Sequence, residues 1–407
     1  MAKYMKQSFW AKLLGCTYLL IVLAGCQGYS WPGQESIPST AEPASIETPE
    51  PPSPTPTPTP SPSPSPTPSP SPTPTPVPTP ALIEFEGVVE HIFFHPVIFD
   101  PEVAFSGWKA EGLDDWMVTK SEYEKILQSL YDRDFILIHL TDVYEEIETD
   151  GKPCIVKKPL MLPEGKKPIV ISYDDVNYYD YMREFGFAHK LVLGEDGEVW
   201  DYSLDRDGTE RYTQERDIVT ILDAFVKEHP DFSWQGAKGT LGLTGFDGIL
   251  GYQTQAESEN RQAEIEAVRP VIERLKETGW VFASHSFGHP DFAKISLERL
   301  KHDSTRWQDE VESLIGPTPV LLYPYGANCQ KDAAKMKVLL EKGFRIFCAV
   351  GIDSHTRFAS GIPAVYMDRR HPDGTTLRWG RSRYLDLYDA KEVFDQARPN
   401  RPLDFSK

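Results

Sequence analysis

The sequence is short of cysteine and of basic residues. It has 5 cysteines in 407 residues, and its 42 Lys and Arg residues stand against 61 Asp and Glu residues, giving a net charge of -19. Because like charges repel, such an acidic surface excludes nucleic acid and other polyanions as partners over most of its area. Neutral and cationic polymers stay open as partners.

The few cysteines suit neither a disulfide framework nor a zinc ribbon. Cys16 and Cys26 lie near the N-terminus, and this leaves Cys154, Cys329 and Cys348 for the rest of the chain. Their number is odd and they lack Cys-x-x-Cys spacing, which fits neither of these two arrangements. One bridge, between Cys329 and Cys348, stays open.

Long apolar runs are scarce as well. The run at 13–23 is too short to span a bilayer comfortably, follows three lysines within the first twelve residues, and leads into Leu23-Ala24-Gly25-Cys26. This pattern resembles a bacterial lipoprotein signal, so we expect a signal peptide at 1–26 and a lipid anchor on Cys26. An uncleaved membrane anchor is the alternative. Both place the protein outside the cytoplasm, on the outer face of the bacterial cytoplasmic membrane.

Residues 27–81 have almost no large apolar side chains and can bury no core. From Pro52 every second residue is proline, alternating with Ser, Thr and one Val. Such a stretch rises about 3 Å per residue in polyproline II form, so it could reach on the order of 100 Å from a bilayer. We predict a disordered linker at 27–81, either spanning a cell wall or serving as a plain spacer, followed by one domain at 82–407.

Within 82–407, short apolar runs alternate with amphipathic stretches. This repeated strand and helix pattern predicts parallel strands with outer helices, an α/β sheet or barrel. Predicted strands lie at 88–95, 135–140, 168–173, 239–244, 281–284, 320–322 and 345–350, and predicted helices at 121–133, 217–228, 257–279, 297–315 and 330–342. Ser121 is the expected N-cap of the first helix. Residues 186–216 are expected to be a loop insertion that caps one end of a groove.

Polar side chains follow two of these predicted strands. Asp174 and Asp175 end one strand, and His285 and His289 follow another. Adjacent carboxylates ionise cheaply only beside a cation or hydrogen-bond donors, and functional residues of parallel α/β folds lie at the carboxyl ends of strands. Two imidazoles and the Asp175 carboxylate suit Zn²⁺ or a similar ion, which leaves Asp174 as a general base for water.

Three motifs stand in the order known from one family. Ser172-Tyr173-Asp174-Asp175, His285-Ser286-Phe287-Gly288-His289 and Tyr323-Pro324-Tyr325-Gly326 resemble motifs of the polysaccharide deacetylases, the family with the NodB-homology domain, also called carbohydrate esterase family 4. With the lead-in Phe93-Phe94-His95-Pro96-Val97, the similarity covers most of 88–350. It implies an irregular (β/α) barrel at 82–407 and a metal-dependent hydrolase that removes N-acetyl groups from a polysaccharide of N-acetylglucosamine type and releases acetate.

The resemblance also implies roles for individual residues. Asp174 is the catalytic base, and Asp175, His285 and His289 hold the metal, which we expect to be zinc, with cobalt or nickel as alternatives. The motif Tyr323-Pro324-Tyr325-Gly326 lines the substrate groove, where the backbone N–H of Tyr325 helps to hold the oxyanion. We expect a monomer whose partners are the polysaccharide and, through Cys26, the membrane.

The sequence departs from the family pattern in two ways. Leu322 stands where many members carry an Arg that orients the base, and no later motif clearly supplies the general acid. Three histidines are candidates for this acid, in the order His371, His355 and His95. Arg369 and Arg370 either bind sugar hydroxyls or pair with the acids of the site.

Other functions stay open at this point. A degenerate domain of the same fold could bind glycan or metal without turnover, an O-acetyl esterase could act on xylan-like polymers, and a glycosidase could use the carboxylates as an acid and base pair. Aromatic residues are dense near the motifs, and those that do not pack in the core are expected to stack on pyranose rings. They are Tyr173, Tyr178, Tyr179, Tyr181, Phe287, Phe292, Tyr323 and Tyr325.

Overall fold

The structure, a computed structural model, describes residues 81–406. The expected signal peptide, the lipid anchor at Cys26 and all but the last residue of the expected linker lie outside the described residues and stay predictions. Across 81–406, the helices are all too short or too polar to cross a lipid bilayer.

The described residues form a mixed α/β structure. The strands are β1 Leu82–Glu84, β2 Glu90–Phe94, β3 Phe135–Leu137, β4 Tyr144–Thr149, β5 Lys152–Lys157, β6 Met161–Pro163, β7 Lys167–Tyr173, β8 Lys190–Leu193, β9 Val199–Leu204, β10 Glu210–Thr213, β11 Thr240–Leu243, β12 Val281–Ser284, β13 Val320–Leu322, β14 Ile346–Val350, β15 Thr356–Phe358 and β16 Val365–Arg369. The helices are α1 Pro101–Ala104, α2 Ala110–Trp116, α3 Lys120–Asp132, α4 Ile218–Glu228, α5 Arg261–Glu277, α6 Leu297–Trp307, α7 Ser313–Ile315, α8 Ala333–Glu341, α9 Gly374–Trp379 and α10 Ala390–Val393.

The main sheet is a curled set of parallel strands. Its order is β15, β16, β14, β13, β12, β11, β7 and β2, and β3 also pairs with β7. Every neighbouring pair is parallel except β15 with β16, which is antiparallel. The two ends approach each other just after β16, where Phe93 N–H donates to the Arg370 carbonyl at 3.0 Å and Arg370 N–H donates to the His91 carbonyl at 2.9 Å. The predicted irregular (β/α) barrel is therefore confirmed.

Apolar runs make these strands because both faces of the sheet are covered. In β7 every residue from Pro168 to Tyr173 is buried, as expected for a parallel strand packed on both sides. Helix α3 covers one outer face with Tyr123, Ile126, Leu127 and Leu130. Its N-cap is Thr119 and not Ser121, because the Thr119 side chain and Glu122 form a reciprocal capping box.

The expectation of a loop at 186–216 is wrong. Strands β8, β9 and β10 in this region form a three-stranded antiparallel sheet. Its middle strand buries Val199, Asp201 and Ser203 on one face. Because two of these three inward residues are polar, the sequence shows no apolar alternation. Asp201 is satisfied there by the hydroxyls of Thr213 and Thr220, at 2.7 and 2.8 Å.

The three cysteines of the described residues are free. Cys329 and Cys348 are buried, and Cys154 is half-buried. The possible bridge between Cys329 and Cys348 is therefore not formed. Cys348 lies in the middle of β14, and Cys329 instead contacts the Tyr323 hydroxyl at 3.7 Å.

Candidate metal centre and its surroundings

Asp175, His285 and His289 converge at the carboxyl ends of β7 and β12. One donor atom from each of the three lies within 4.8 Å of the other two. His285 Nε2 and His289 Nε2 are 3.2 Å apart, and the Asp175 oxygens lie 3.9 Å from the first and 3.8 Å from the second. This donor set, two imidazoles and one carboxylate, suits a divalent metal such as zinc.

The backbone of the site loops is strained. Asp175 and His289 have φ angles of 61° and 52°, in the left-handed region that residues other than glycine rarely adopt. Tyr178, Ser286 and Tyr325 share this conformation, with φ of 56°, 65° and 59°. Such conformations persist only where the surroundings enforce them, and they cluster at functional sites.

Buried polar side chains hold these loops in place. Asn177 bonds the neighbouring loop through its side-chain amide, donating to the Thr244 carbonyl at 2.9 Å and accepting from Thr244 N–H at 3.0 Å. The Asp303 carboxylate accepts the N–H groups of Phe287 and Gly288 at 2.9 and 2.8 Å. The loop that carries Asp175 and the loop that carries His285 and His289 are therefore both held by hydrogen bonds from residues that are not metal ligands.

His285 is oriented by the strand next to it. Its Nδ1–H donates to the Leu322 carbonyl at 2.9 Å, which turns Nε2 towards Asp175 and His289. Burial lowers the pKa of His289 to about 4, so that imidazole is neutral near pH 7. A neutral imidazole is the form that binds metal.

Arg369 fixes the other carboxylate, Asp174. Its Nη1 and Nη2 donate to the two Asp174 oxygens at 2.6 and 2.8 Å, and Arg369 is fully buried. Burial alone would raise the pKa of Asp174, but the Arg369 charge and hydrogen bonds, together with His285, lower it below its ordinary value. Arg369 was expected either to bind sugar hydroxyls or to pair with an acid of the site, and in the structure it pairs with Asp174. Arg370 pairs with Asp386, at 2.7 Å, away from Asp174.

A buried polar chain behind Asp174 was missed from the sequence. The Ser172 hydroxyl accepts a hydrogen bond from Arg369 at 3.0 Å and lies 2.9 Å from His91 Nε2. His91 is fully buried in β2, and burial holds its pKa well below the ordinary value, with the Arg369 charge adding to the effect. The apolar run that follows His91 in β2 could have indicated that its side chain is buried, but not its partner.

The three candidate acids have different surroundings. His371 stacks on Phe93 with ring centroids 4.1 Å apart, and its Nδ1 lies 3.1 Å from the Asp373 carboxylate. His95 lies between this pair and the metal ligands, 5.1 Å from the His371 ring and with Nε2 4.0 Å from Asp175. His355 is exposed before β15, where its carbonyl accepts the N–H of Asp368 at 2.9 Å. Burial lowers the pKa of His95 to about 4.

The motif Tyr323-Pro324-Tyr325-Gly326 follows β13. Tyr323 is fully buried, so its ring packs in the core and does not line a groove, and Pro324 is buried too. Tyr325 is exposed and its ring meets His289, with centroids 4.5 Å apart. Gly326 has φ of 63°, and a Cβ there would lie 2.7 Å from that of Val350, so the turn requires glycine.

The polysaccharide deacetylase family model matches residues 253–347, a segment that contains His285, His289 and the motif at 323–326 but not the Asp pair or Arg369. No curated protein matches the sequence.

Several solved structures match this chain at low sequence identity. A deacetylase of Streptococcus pyogenes, PplD, in complex with acetate has a TM-score of 0.41 at 13% identity, with 73% of this chain and 95% of that chain covered. IcaB from Ammonifex degensii has a TM-score of 0.40 at 12% identity, with 74% and 97% covered. BA3943 of Bacillus anthracis, described as a CE4 family pseudoenzyme, has a TM-score of 0.23 at 12% identity, with 42% and 54% covered.

Proposed function

We propose that this chain is a polysaccharide deacetylase, the family whose model matches residues 253–347, and that it is a metal-dependent hydrolase. It would remove N-acetyl groups from sugars of N-acetylglucosamine type in a cell-wall or extracellular polysaccharide. The products are acetate and a free amine on the sugar. The observation that carries the proposal is the convergence of Asp175, His285 and His289 on one point, with the Asp174 carboxylate at its side.

Asp175, His285 and His289 would hold the metal, with zinc as our first choice and cobalt or nickel as alternatives. Three donors from the chain leave coordination positions for water and substrate, as in catalytic zinc sites. A divalent cation bound there would act as a Lewis acid on the acetamide carbonyl and lower the pKa of bound water. Tyr179 donates to one oxygen of Asp175 at 2.6 Å and so fixes the rotamer of that ligand.

Asp174 is the proposed general base. It takes a proton from the attacking water as the water oxygen forms a bond with the acetamide carbon. The two hydrogen bonds from Arg369 orient the carboxylate and keep it ionised near neutral pH. The N–H of Tyr325, assigned by family resemblance, would donate to the oxygen that gains negative charge.

His371 is the proposed general acid. When the carbon–nitrogen bond breaks, the electron pair goes to nitrogen, and this amine needs a proton. Asp373 lies 3.1 Å from His371 Nδ1 and orients the imidazole ring. His95 is a weaker candidate, because a histidine with a pKa of about 4 is neutral near pH 7 and holds no extra proton to give.

The membrane anchor remains part of the proposal on sequence grounds alone. A lipid on Cys26 followed by the Pro-rich linker would place residues 82–407 at the outer face of the membrane, within reach of wall polymers. We also propose that the protein acts as a monomer.

Acetate release from an acetylated chito-oligosaccharide tests the function. We expect release by the protein as purified, loss after dialysis against a chelator, and recovery on adding Zn²⁺, Co²⁺ or Ni²⁺, with the length of the oligosaccharide unchanged by mass spectrometry. Glycan binding without acetate release would instead indicate a degenerate domain, and shortened chains a glycosidase. Faster release from acetylated xylan would indicate an O-acetyl esterase.

A further inference from the structure

A row of aromatic rings leads away from the metal centre. It begins at Tyr179, whose hydroxyl bonds Asp175. The Tyr179 ring stacks on Phe246 on one side, at 5.0 Å and 17°, and on Tyr181 on the other, at 6.0 Å and 22°. Phe246 is 46% exposed, so the row reaches the surface beside the site.

Lys109 and Trp108 extend this row. Lys109 Nζ lies 4.0 Å from the centroid of the Tyr181 ring and 4.3 Å from that of Trp108. Trp108 is 78% exposed, the highest exposure among the large apolar side chains of the described residues, whereas Lys109 is only 5% exposed. A tryptophan ring open to solvent and fixed by a cation is a stacking surface for the apolar face of a sugar.

The ammonium group of Lys109 lies against the ring faces of Trp108 and Tyr181. Among residues 81–406 no carboxylate lies within 4.0 Å of Lys109 Nζ, although the chain has many more acidic than basic residues. An ammonium group has three N–H donors, and contact with ring faces uses none of them fully. Burial of this charge also lowers the pKa of Lys109. An ammonium group that faces two rings and no carboxylate can donate charge-assisted hydrogen bonds to an incoming anion.

We propose that Trp108, Lys109 and Tyr181 form a subsite for a sugar that bears a carboxylate, next to the acetamido sugar at the metal centre. The proposal rests on the proposed function and narrows its substrate to an acidic glycan. Trp108 stacks on the pyranose ring, and Lys109 donates charge-assisted hydrogen bonds to the carboxylate. Because this protein has a net charge of -19, it repels an acidic polymer, and a cation such as Lys109 at the binding site would offset that repulsion locally.

Substitution of Lys109 tests the charge preference. The substrates are peptide-free peptidoglycan strands, in which every second sugar bears a carboxylate, and a neutral chito-oligosaccharide of equal length. We expect Lys109→Gln to lower kcat/KM for acetate release about tenfold on the acidic strands, through KM. On the neutral substrate the effect should be clearly smaller, because only the contact of the cation with Trp108 is lost there. Lys109→Arg keeps most of the activity. Equal effects on both substrates, or no effect on either, would overturn the proposal.

Two further variants separate charge from packing. Trp108→Ala removes the stacking ring and is expected to raise KM on both substrates, whereas Lys337→Gln removes an exposed lysine on α8 and is expected to change nothing. Melting temperatures confirm that each variant is folded.

A binding measurement keeps the subsite testable by itself. Calorimetric titration of the acidic strands into the Asp174→Asn protein, with and without Lys109→Gln, requires no turnover. We expect about tenfold weaker binding without Lys109, and equal affinities would reject the subsite. If the wild-type protein releases no acetate from either glycan but this difference in affinity is found, the proposed activity fails while the subsite stands.

Discussion

Arg369 and Asp174, which lie 195 residues apart in the sequence, form a buried bidentate ion pair. Arg369 ends β16, whereas the family resemblance led us to look for the orienting arginine at the position of Leu322, at the end of β13. Because the barrel brings the ends of β7 and β16 together, an arginine on either strand can reach the same carboxylate. The absence of arginine at 322 therefore does not leave the base without an orienting partner.

Removal of Arg369 is expected to impair the base and the fold together. Arg369→Met leaves the Asp174 carboxylate buried without its partner, which costs about 3 to 5 kcal/mol of unfolding free energy. Arg369→Lys keeps the charge but loses the paired geometry, and we expect kcat to fall at least tenfold. Because the Arg369 charge lowers the pKa of Asp174, the acidic limb of the pH profile of kcat/KM should move to higher pH in Arg369→Met, which lacks that charge.

The matched control is Arg381→Lys, which alters an ion pair with Asp389 at the surface. It should leave both kcat/KM and the pH profile unchanged. An acidic limb that stays in place in Arg369→Met, in protein that circular dichroism shows to be folded, would contradict the role given to Arg369.

The His371 and Asp373 pair can be tested by changing the leaving group. His371→Asn should lower kcat on an acetamido sugar by about 10² to 10⁴, because the departing amine then receives no positioned proton. On 4-nitrophenyl acetate, whose leaving group departs as a stable anion, the loss should be small. Asp373→Asn keeps the cap on α9 and should show a milder form of the same pattern. Equal losses on both substrates would assign His371 a structural role.

Asp217 should make stability depend on pH. Burial raises its pKa from 3.8 to about 7, and the nearby Asp201 charge adds to the rise. Between these values the folded state binds more protons than the unfolded state, so the stabilising contribution is complete below about pH 4 and is lost as pH rises towards 7.

Asp217→Asn retains an acceptor for Val219 N–H, the bond that caps α4, but cannot ionise. At pH 8 its free energy of unfolding, measured by urea denaturation, should exceed that of the wild-type protein by up to about 4 kcal/mol. This difference in free energy should shrink at pH 5. Asp309→Asn on the exposed surface is the control. A difference that does not depend on pH would show that Asp217 is ionised when folded.

The sequence allowed prediction of features that depend on neighbouring residues. Strand β12 was predicted with its observed bounds, and the expectation that Asp174, Asp175, His285 and His289 converge agrees with their positions in the structure. These residues directly follow apolar runs, and the carboxyl ends of parallel strands meet at one edge.

Features that depend on distant partners could not be predicted in this way. Arg369 was left with two possible roles because its contact with Asp174 requires the barrel to close. The sheet around β9 was interpreted as a loop because two of its inward side chains, Asp201 and Ser203, are polar. Their hydrogen-bond partners, the Thr213 hydroxyl for Asp201 and Arg216 for Ser203, cannot be recognised from a hydropathy pattern.

The most direct test of the account compares the wild-type protein with Asp174→Asn, both loaded with Zn²⁺, for acetate release from a chito-oligosaccharide. Asparagine keeps the size of the side chain but cannot accept the proton of water, whereas the metal donors Asp175, His285 and His289 are unchanged. The account predicts steady acetate release by the wild-type protein and at least a hundredfold less by the variant, with equal zinc content in both. Undiminished release by the variant, or none by the zinc-loaded wild-type protein, would contradict it.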